Sequence, residues 1–127
     1  MKLTKNFSKS EFECKCGCDM PQNVLENIKT LAEQLQRVRG KLSKPIKINS
    51  AYRCENHNTT IGGSKNSQHK LGLASDIVIK GMTPNSAFSF LNKLMALNII
   101  NLGGLGQYNT FTHIDFRGFV ARWDNRT

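Results

Sequence analysis

The stretch Ser67–Ile79, "SQHKLGLASDIVI", decides how the rest of the chain is read. Its second half, Leu73–Ile79, is an apolar run of strand length that begins after Gly72 and ends at the turn "KGMTPN". Asp76 interrupts this run. A carboxylate on a buried strand needs a hydrogen-bonding partner, a counter-charge or a metal. His69 stands seven residues earlier, at the edge of the loop that leads into the strand.

Working outward, "PIKINSAYR" on the amino-terminal side reads as a second strand, with Ile46 and Ile48 alternating with lysines. Between the two strands, Glu55–Lys70 is rich in Gly, Asn and Ser and reads as one long functional loop. Upstream, Val24, Ile28, Leu31, Leu35 and Val38 recur every three or four residues, which predicts a helix with Pro21 in its first turn and Gly40 as its stop. Asn6–Pro21 reads as an ordered but irregular cap. Downstream, a second helix is expected from Pro84, with Ala87, Phe88, Leu91, Leu94 and Met95 on one face and Asn98 near its end. Two short strands follow, at about Leu105–Tyr108 and Phe111–Arg117. The pattern is that of an α+β fold: a small antiparallel sheet with packed helices, in a single domain spanning 1–127.

Charge narrows the partners without choosing one. Against 9 acidic residues the chain has 18 Lys and Arg, a formal net charge of +9, which favours anionic partners such as nucleic acid, an anionic membrane or a cell-wall polymer. The basic residues are dispersed, and no zinc finger, helix-turn-helix or aromatic-basic strip marks a specific nucleic-acid reader. There is no apolar run long enough to span a membrane. Met1–Met20 lacks the apolar stretch of a signal peptide, so the expectation is cytoplasmic synthesis without one, as a monomer. Gly103, Gly104 and Gly106 lack the strand–glycine–helix context of a nucleotide site.

The four cysteines leave three readings open. Cys14, Cys16 and Cys18 lie in "ECKCGCD", and Cys54 stands alone after "SAYR". A bridge from Cys54 to one cluster member is easier to build than one inside the cluster, where the Cα and Cβ spacings are hard to satisfy. Reduced thiols packed against that segment are a second reading, and a structural zinc is a third, although the alternating spacing is not the usual chelate.

His113, in "FTHIDFR", completes a set with His69 and Asp76. Two imidazoles and a carboxylate are zinc ligands, and a three-residue set leaves a fourth position for water or substrate. His57 reads as a loop residue outside this set.

These residues carry a family resemblance. "INSAYRCENHN", "GGSKNSQHKLGLASDI" and "GGLGQY…FTHIDFRG" together resemble the zinc D-Ala-D-Ala carboxypeptidase group of the M15 peptidases. That group also contains phage cell-wall peptidases and is similar in core fold to the amino-terminal signalling domain of Hedgehog proteins. The SxHxxGxAxD motif matches throughout, at Ser67, His69, Gly72, Ala74 and Asp76, and the resemblance runs from about Phe12 to Arg117. It implies Zn2+ held by His69, Asp76 and His113, with Arg53 binding substrate or the transition state. Ser67 and Gln68 are then candidates for orienting substrate or water.

One position departs from the family pattern. Many members carry Glu or Asp three residues before the last zinc histidine, where it acts as general base; Thr110 stands there in this chain. Asp115 lies two residues after His113, on the same side of a strand, and offers a replacement base. Its alternative role is to orient His113 or to pair with Arg117. Tyr108 is expected either to line a groove or to fill the core edge, and Trp123 to seal the carboxyl end.

The function implied is zinc-dependent hydrolysis of a peptide bond in the peptidoglycan stem, either terminal D-Ala-D-Ala or an internal bond such as L-alanyl-D-glutamate. Such an enzyme would act at the bacterial cell wall after release from the cell, as a phage-encoded lytic protein does. The alternative is a zinc-stabilised binding or structural module without catalysis, which the absence of an acid at Thr110 favours.

Overall fold

A computed structural model describes residues 1–127. Helix α1 spans Gln22–Leu42, strand β1 Ile46–Ser50, helix α2 Glu55–Thr60, strand β2 Ala74–Ile79, helix α3 Pro84–Ala96, strand β3 Gly104–Gln107, strand β4 Thr112–Asp115 and strand β5 Ala121–Asp124. Two short 3-10 turns, Lys9–Phe12 and Gln68–Leu71, complete the α+β fold. No helix is long and apolar enough to cross a membrane.

The five strands form one sheet in the order β1-β2-β4-β3-β5. Antiparallel pairing joins β1 to β2, β2 to β4 and β4 to β3, while β5 lies parallel to β3. The sheet is therefore mixed at one edge, where wholly antiparallel pairing was expected. Local composition did not announce β5, because "ARWD" is only four residues long, half of them charged, and its residues are only half-buried or exposed.

The period-two alternation of the strands sorts the two faces of the sheet. Ile77, Ile79, Ile114 and Leu105 join the core with Val24, Ile28, Leu31, Leu35 and Val38 of α1 and Ala87, Leu91, Leu94 and Met95 of α3. Asp76 and His113 alternate with these residues and point the other way. They are direct cross-strand partners, within a row that runs Ser50, Asp76, His113, Gly106 and Trp123 across all five strands. The register shift between Ile48 and Ser50 inserts one extra residue into β1, which brings Ser50 opposite Asp76 and aims the following segment at the same face.

Several helix boundaries differ from expectation for identifiable reasons. Helix α1 runs through Gly40 to Leu42 and ends on Ser43, at φ 52°, whose N–H donates to the Arg39 carbonyl. A single helical glycine costs only about 1 kcal/mol, and Leu42 beyond it still packs on the core. Pro21 is the residue before the helix rather than its first turn. Helix α3 is capped by Thr83, whose hydroxyl accepts from the Ser86 N–H, and carries Pro84 at its start. Asn98, at φ 58°, turns the chain just beyond it.

The stretch Glu55–Lys70 is more ordered than the expected loop, since it holds α2 and most of the Gln68–Leu71 turn. It escapes a periodicity reading because α2 is short and the residue it buries is the polar Asn58, whose Nδ2 donates to the Ser64 carbonyl at 2.8 Å. Gly72 ends the second turn at φ 76°; a Cβ there would stand 2.9 Å from Cγ1 of Val24. Its close approach is thus to α1. In the amino-terminal cap, Phe7, Phe12 and Cys14 are buried. All four cysteines are free thiols, so of the three readings the Cys54 bridge is not formed.

Gly106 is the only residue without a side chain in the cross-sheet row, and a Cβ there would collide with the Trp123 indole. Gly106→Ala must displace that ring, an overpacking cost of about 1–3 kcal/mol. A lowered midpoint of thermal unfolding, together with altered tryptophan fluorescence, is the expected result.

Candidate metal centre

Each member of the cluster is positioned by a different element. His69 is on the Gln68–Leu71 turn, Asp76 is in the middle of β2, and His113 is in β4. Their donor atoms all lie within 4.8 Å of one another, and the three residues are buried. His69 Nε2 stands 3.3 Å and His113 Nδ1 3.1 Å from the same oxygen, Oδ1 of Asp76.

The remote ring nitrogens are tied from behind. His69 Nδ1 lies 2.7 Å from the Ala51 carbonyl, which can only accept, so that nitrogen carries the proton. A neutral His69 therefore aims the lone pair of Nε2 at a carboxylate oxygen. Two lone pairs at that distance repel unless a proton or a cation lies between them. His113 Nε2 stands 2.8 Å from Oδ2 of Asp115, which fixes the ring with Nδ1 inward. A backbone carbonyl behind one imidazole and a carboxylate behind the other are the usual supports of metal-ligating histidines. The donor set of two nitrogens and one oxygen matches catalytic zinc, with a position left for water. The residues present fit Zn2+.

The charges agree with the geometry. Burial opposes ionisation of Asp76, but hydrogen bonds with His113 and His69 outweigh it and hold the carboxyl well below the usual carboxylate range. Burial likewise opposes a charge on Asp115, yet Arg117, His113 and the Gly104 N–H together pull its carboxyl down. For His113, burial disfavours the cation, and the bonds to Asp115 and Asp76 more than compensate, raising its pKa.

Arg53 enters from the segment after β1. Its backbone N–H donates to the His69 carbonyl at 3.1 Å, and its Nη2 donates to Oδ2 of Asp76 at 3.2 Å. Nε reaches Ser50 Oγ at 3.2 Å and Nη1 reaches Asn58 Oδ1 at 3.4 Å. The guanidinium thus holds the Asp76 oxygen that the histidines do not use, while also lining the cleft in front of the centre. The resemblance implied that Arg53 binds substrate or the transition state; the structure places it in the cleft wall and also pairs it with Asp76.

Asp115 is fully buried behind His113. Its Oδ1 accepts from the Gly104 N–H at 2.8 Å and Arg117 Nε at 2.9 Å, and its Oδ2 accepts from Arg117 Nη2 at 2.7 Å. This is a bidentate guanidinium–carboxylate pair. Gly104 makes the packing possible, since a Cβ there would stand 2.9 Å from Oδ1 of Asp115. Thr110 is exposed in the β3–β4 turn and does not line the cleft.

The cleft in front of the centre has a volume of about 680 Å3. Ser64, Asn66, Ser67 and Gln68 form a polar side, and Tyr108, Phe111 and Trp123 an aromatic side. Tyr108 and Phe111 stack at 4.4 Å, and the Trp123 Nε1–H donates to the Tyr108 hydroxyl at 3.0 Å. Tyr108 is therefore a groove residue. Trp123 does not simply seal the carboxyl end: its ring lies 5.0 Å from that of His113, with the Arg117 guanidinium 5.4 Å from its centroid. Sequence reasoning missed Trp123, Phe111 and Arg117 as cleft residues. Only the "FRG" after "HID" offered a signal, and it concerned Arg117 alone. His57 is not part of the cluster.

Fold and site together define an α+β protein with a buried His-Asp-His centre that opens into a cleft. The family model described as Peptidase M15 matches residues 3–115, and the chain belongs to that family. No curated protein matches the chain. Membership of a zinc-peptidase family and the clustered ligands are consistent with hydrolytic activity, and the cluster is geometrically suited to Zn2+.

Two substitutions separate ligand from support. His69→Ala removes one of three ligands, and elemental analysis should find the zinc of this centre lost. Asp115→Asn keeps all three ligands but weakens the hold on His113, so zinc affinity should fall about 10–100-fold in a chelator competition.

Proposed function

We propose that the protein hydrolyses a peptide bond in the peptidoglycan stem, using zinc held by His69, Asp76 and His113. The observation that carries this reading is the inward aim of three ligand atoms, with their outer partners fixed, at the base of a cleft that also presents Arg53. When bound there, zinc acts as a Lewis acid and lowers the pKa of a bound water.

The chain's own residues supply the remainder. Arg53, held between Ser50, Asn58 and Asp76, is a preoriented donor for the oxygen that gains negative charge as the amide is attacked. Ser67 and Gln68 border the same space and can bind the peptide backbone. Arg53 and Arg117, each paired with a carboxylate behind it, also line the cleft, where they can meet the carboxylates of a stem peptide. A cleft of this volume accommodates a short peptide segment. The scissile bond is either the terminal D-Ala-D-Ala bond or an internal one of the L-alanyl-D-glutamate type. The place of action is then the bacterial cell wall, reached after release, a role that suits a phage-encoded lytic enzyme working as a monomer. In this reading Asp115 serves His113 by fixing its ring, because both carboxylate oxygens are already engaged.

A second reading is a zinc-stabilised binding module without hydrolysis. It is favoured by one observation: Asp76, a ligand, is the sole carboxylate lining the cleft, and Thr110 leaves no acid in the β3–β4 turn.

Digestion of defined muropeptides by zinc-loaded and metal-free protein, with both fragments identified by mass, separates the readings. Release of D-alanine identifies a carboxypeptidase, and cleavage within the stem an endopeptidase; either should depend on zinc. Intact muropeptides with stoichiometric zinc would favour the binding module. Arg53→Lys should lower kcat/KM by about 100-fold with zinc retained, if the fork of donors is what stabilises the oxyanion.

A further inference from the structure

Away from the cleft, the fold gathers four sulfurs that the hydrolytic reading does not use. Cys14, Cys16 and Cys18 come from the amino-terminal cap and Cys54 from the junction of β1 and α2, yet their Sγ atoms all lie within 4.8 Å of one another. Cys14 and Cys16 are 3.3 Å apart, Cys16 and Cys54 3.6 Å, and Cys14 and Cys54 3.8 Å. A tetrahedron with zinc–sulfur bonds of about 2.3 Å has edges of about 3.8 Å. These three separations lie within half an ångström of that edge.

The backbone is arranged to allow this. Gly17, at φ 85°, lets the chain double back between Cys16 and Cys18, and its N–H donates to the Cys14 carbonyl at 3.0 Å. The alternating spacing that looks wrong for a chelate works because this turn brings every second residue to one side. Two backbone donors already point at sulfur: Cys54 N–H to Cys14 Sγ at 3.5 Å and His57 N–H to Cys54 Sγ at 3.4 Å. Such bonds offset the excess negative charge of four thiolates on a divalent ion. A lone disulfide would leave two of the four sulfurs crowded together without a bond.

We propose that Cys14, Cys16, Cys18 and Cys54 form a second metal site, a closed four-thiolate site for structural Zn2+. Binding forms four sulfur–zinc bonds and releases the thiol protons to solvent. The ion ties the amino-terminal cap to the β1–α2 junction, across forty residues of sequence. The consequence reaches the first centre. Tyr52 N–H donates to the Phe12 carbonyl at 3.1 Å, Ala51 holds the His69 ring, and Arg53 is adjacent to Cys54. The structural ion therefore steadies the segment that orients one zinc ligand and the cleft arginine. This inference stands whether or not the cleft hydrolyses peptide.

Metal analysis of the full chain, purified under reducing conditions, tests it. The wild type should carry two zinc ions per chain, and a His69→Ala, His113→Ala variant one. Adding Cys14→Ser and Cys54→Ser should remove the last. Cobalt(II) substituted into the His69→Ala, His113→Ala variant should give the strong near-ultraviolet absorption of thiolate-to-cobalt charge transfer and the visible bands of a tetrahedral site. Should the serine variants fail to fold, protection of the wild-type cysteines from alkylation by zinc, reversed by chelator, provides the same test. Cobalt spectra without thiolate bands, alkylation at equal rates with and without zinc, or disulfides in the metal-loaded protein would each overturn the site.

Discussion

Asp76 carries a negative charge into β2, an interior strand of the sheet, where burial works against it, and three neighbours answer that charge. His69 and His113 converge on one carboxylate oxygen and Arg53 takes the other. Removing any of them leaves a buried charge only partly compensated, which is far more costly than losing an exposed ion pair. The local structure serves this requirement. The bulge in β1 puts Ser50 and then Arg53 within reach, the Gln68–Leu71 turn delivers His69, and the β2–β4 register sets His113 directly opposite.

A further set of contacts sits behind that first set. Ala51 and Asp115 hold the outer nitrogens of the two histidines, and Arg117 holds Asp115 in turn. Glycines in β3 make room for this arrangement, at Gly104 for the Asp115 carboxylate and at Gly106 for the Trp123 indole. The glycine-marked stretch before Tyr108 thus has a steric function: it lets side chains from the neighbouring strands fill space that a Cβ would occupy. Rigid strands rather than loops carry most of the centre, which suits a site that must hold its geometry while one face stays open.

Much of this was legible in the chain. Asp76 stood out because a carboxylate in "LASDIVI" contradicts its apolar surroundings, and His69 and His113 followed from residue type and placement. The two long helices were visible in their three-to-four periodicity. Helix α2 was not, since its buried residue is Asn58 and it shows no apolar stripe. Strand β5 was hidden for a related reason: it is an edge strand whose stability comes from pairing with β3, and local composition does not record a pairing partner. Trp123 lies ten residues beyond His113 in sequence but next to it in space, because Gly106 pairs with both.

By itself the sequence determined the α+β class, the two long helices, the identity of the His-Asp-His set and the M15 resemblance, because periodicity, residue chemistry and motif spacing are local properties of a chain. Tertiary structure alone decided which atom of each ligand faces inward, that Asp115 is engaged behind His113, that Trp123 walls the cleft, and that four cysteines separated by up to forty residues meet at one point. Those outcomes depend on strand register, ring orientation and the approach of segments far apart in sequence, which are set only when the chain packs against itself.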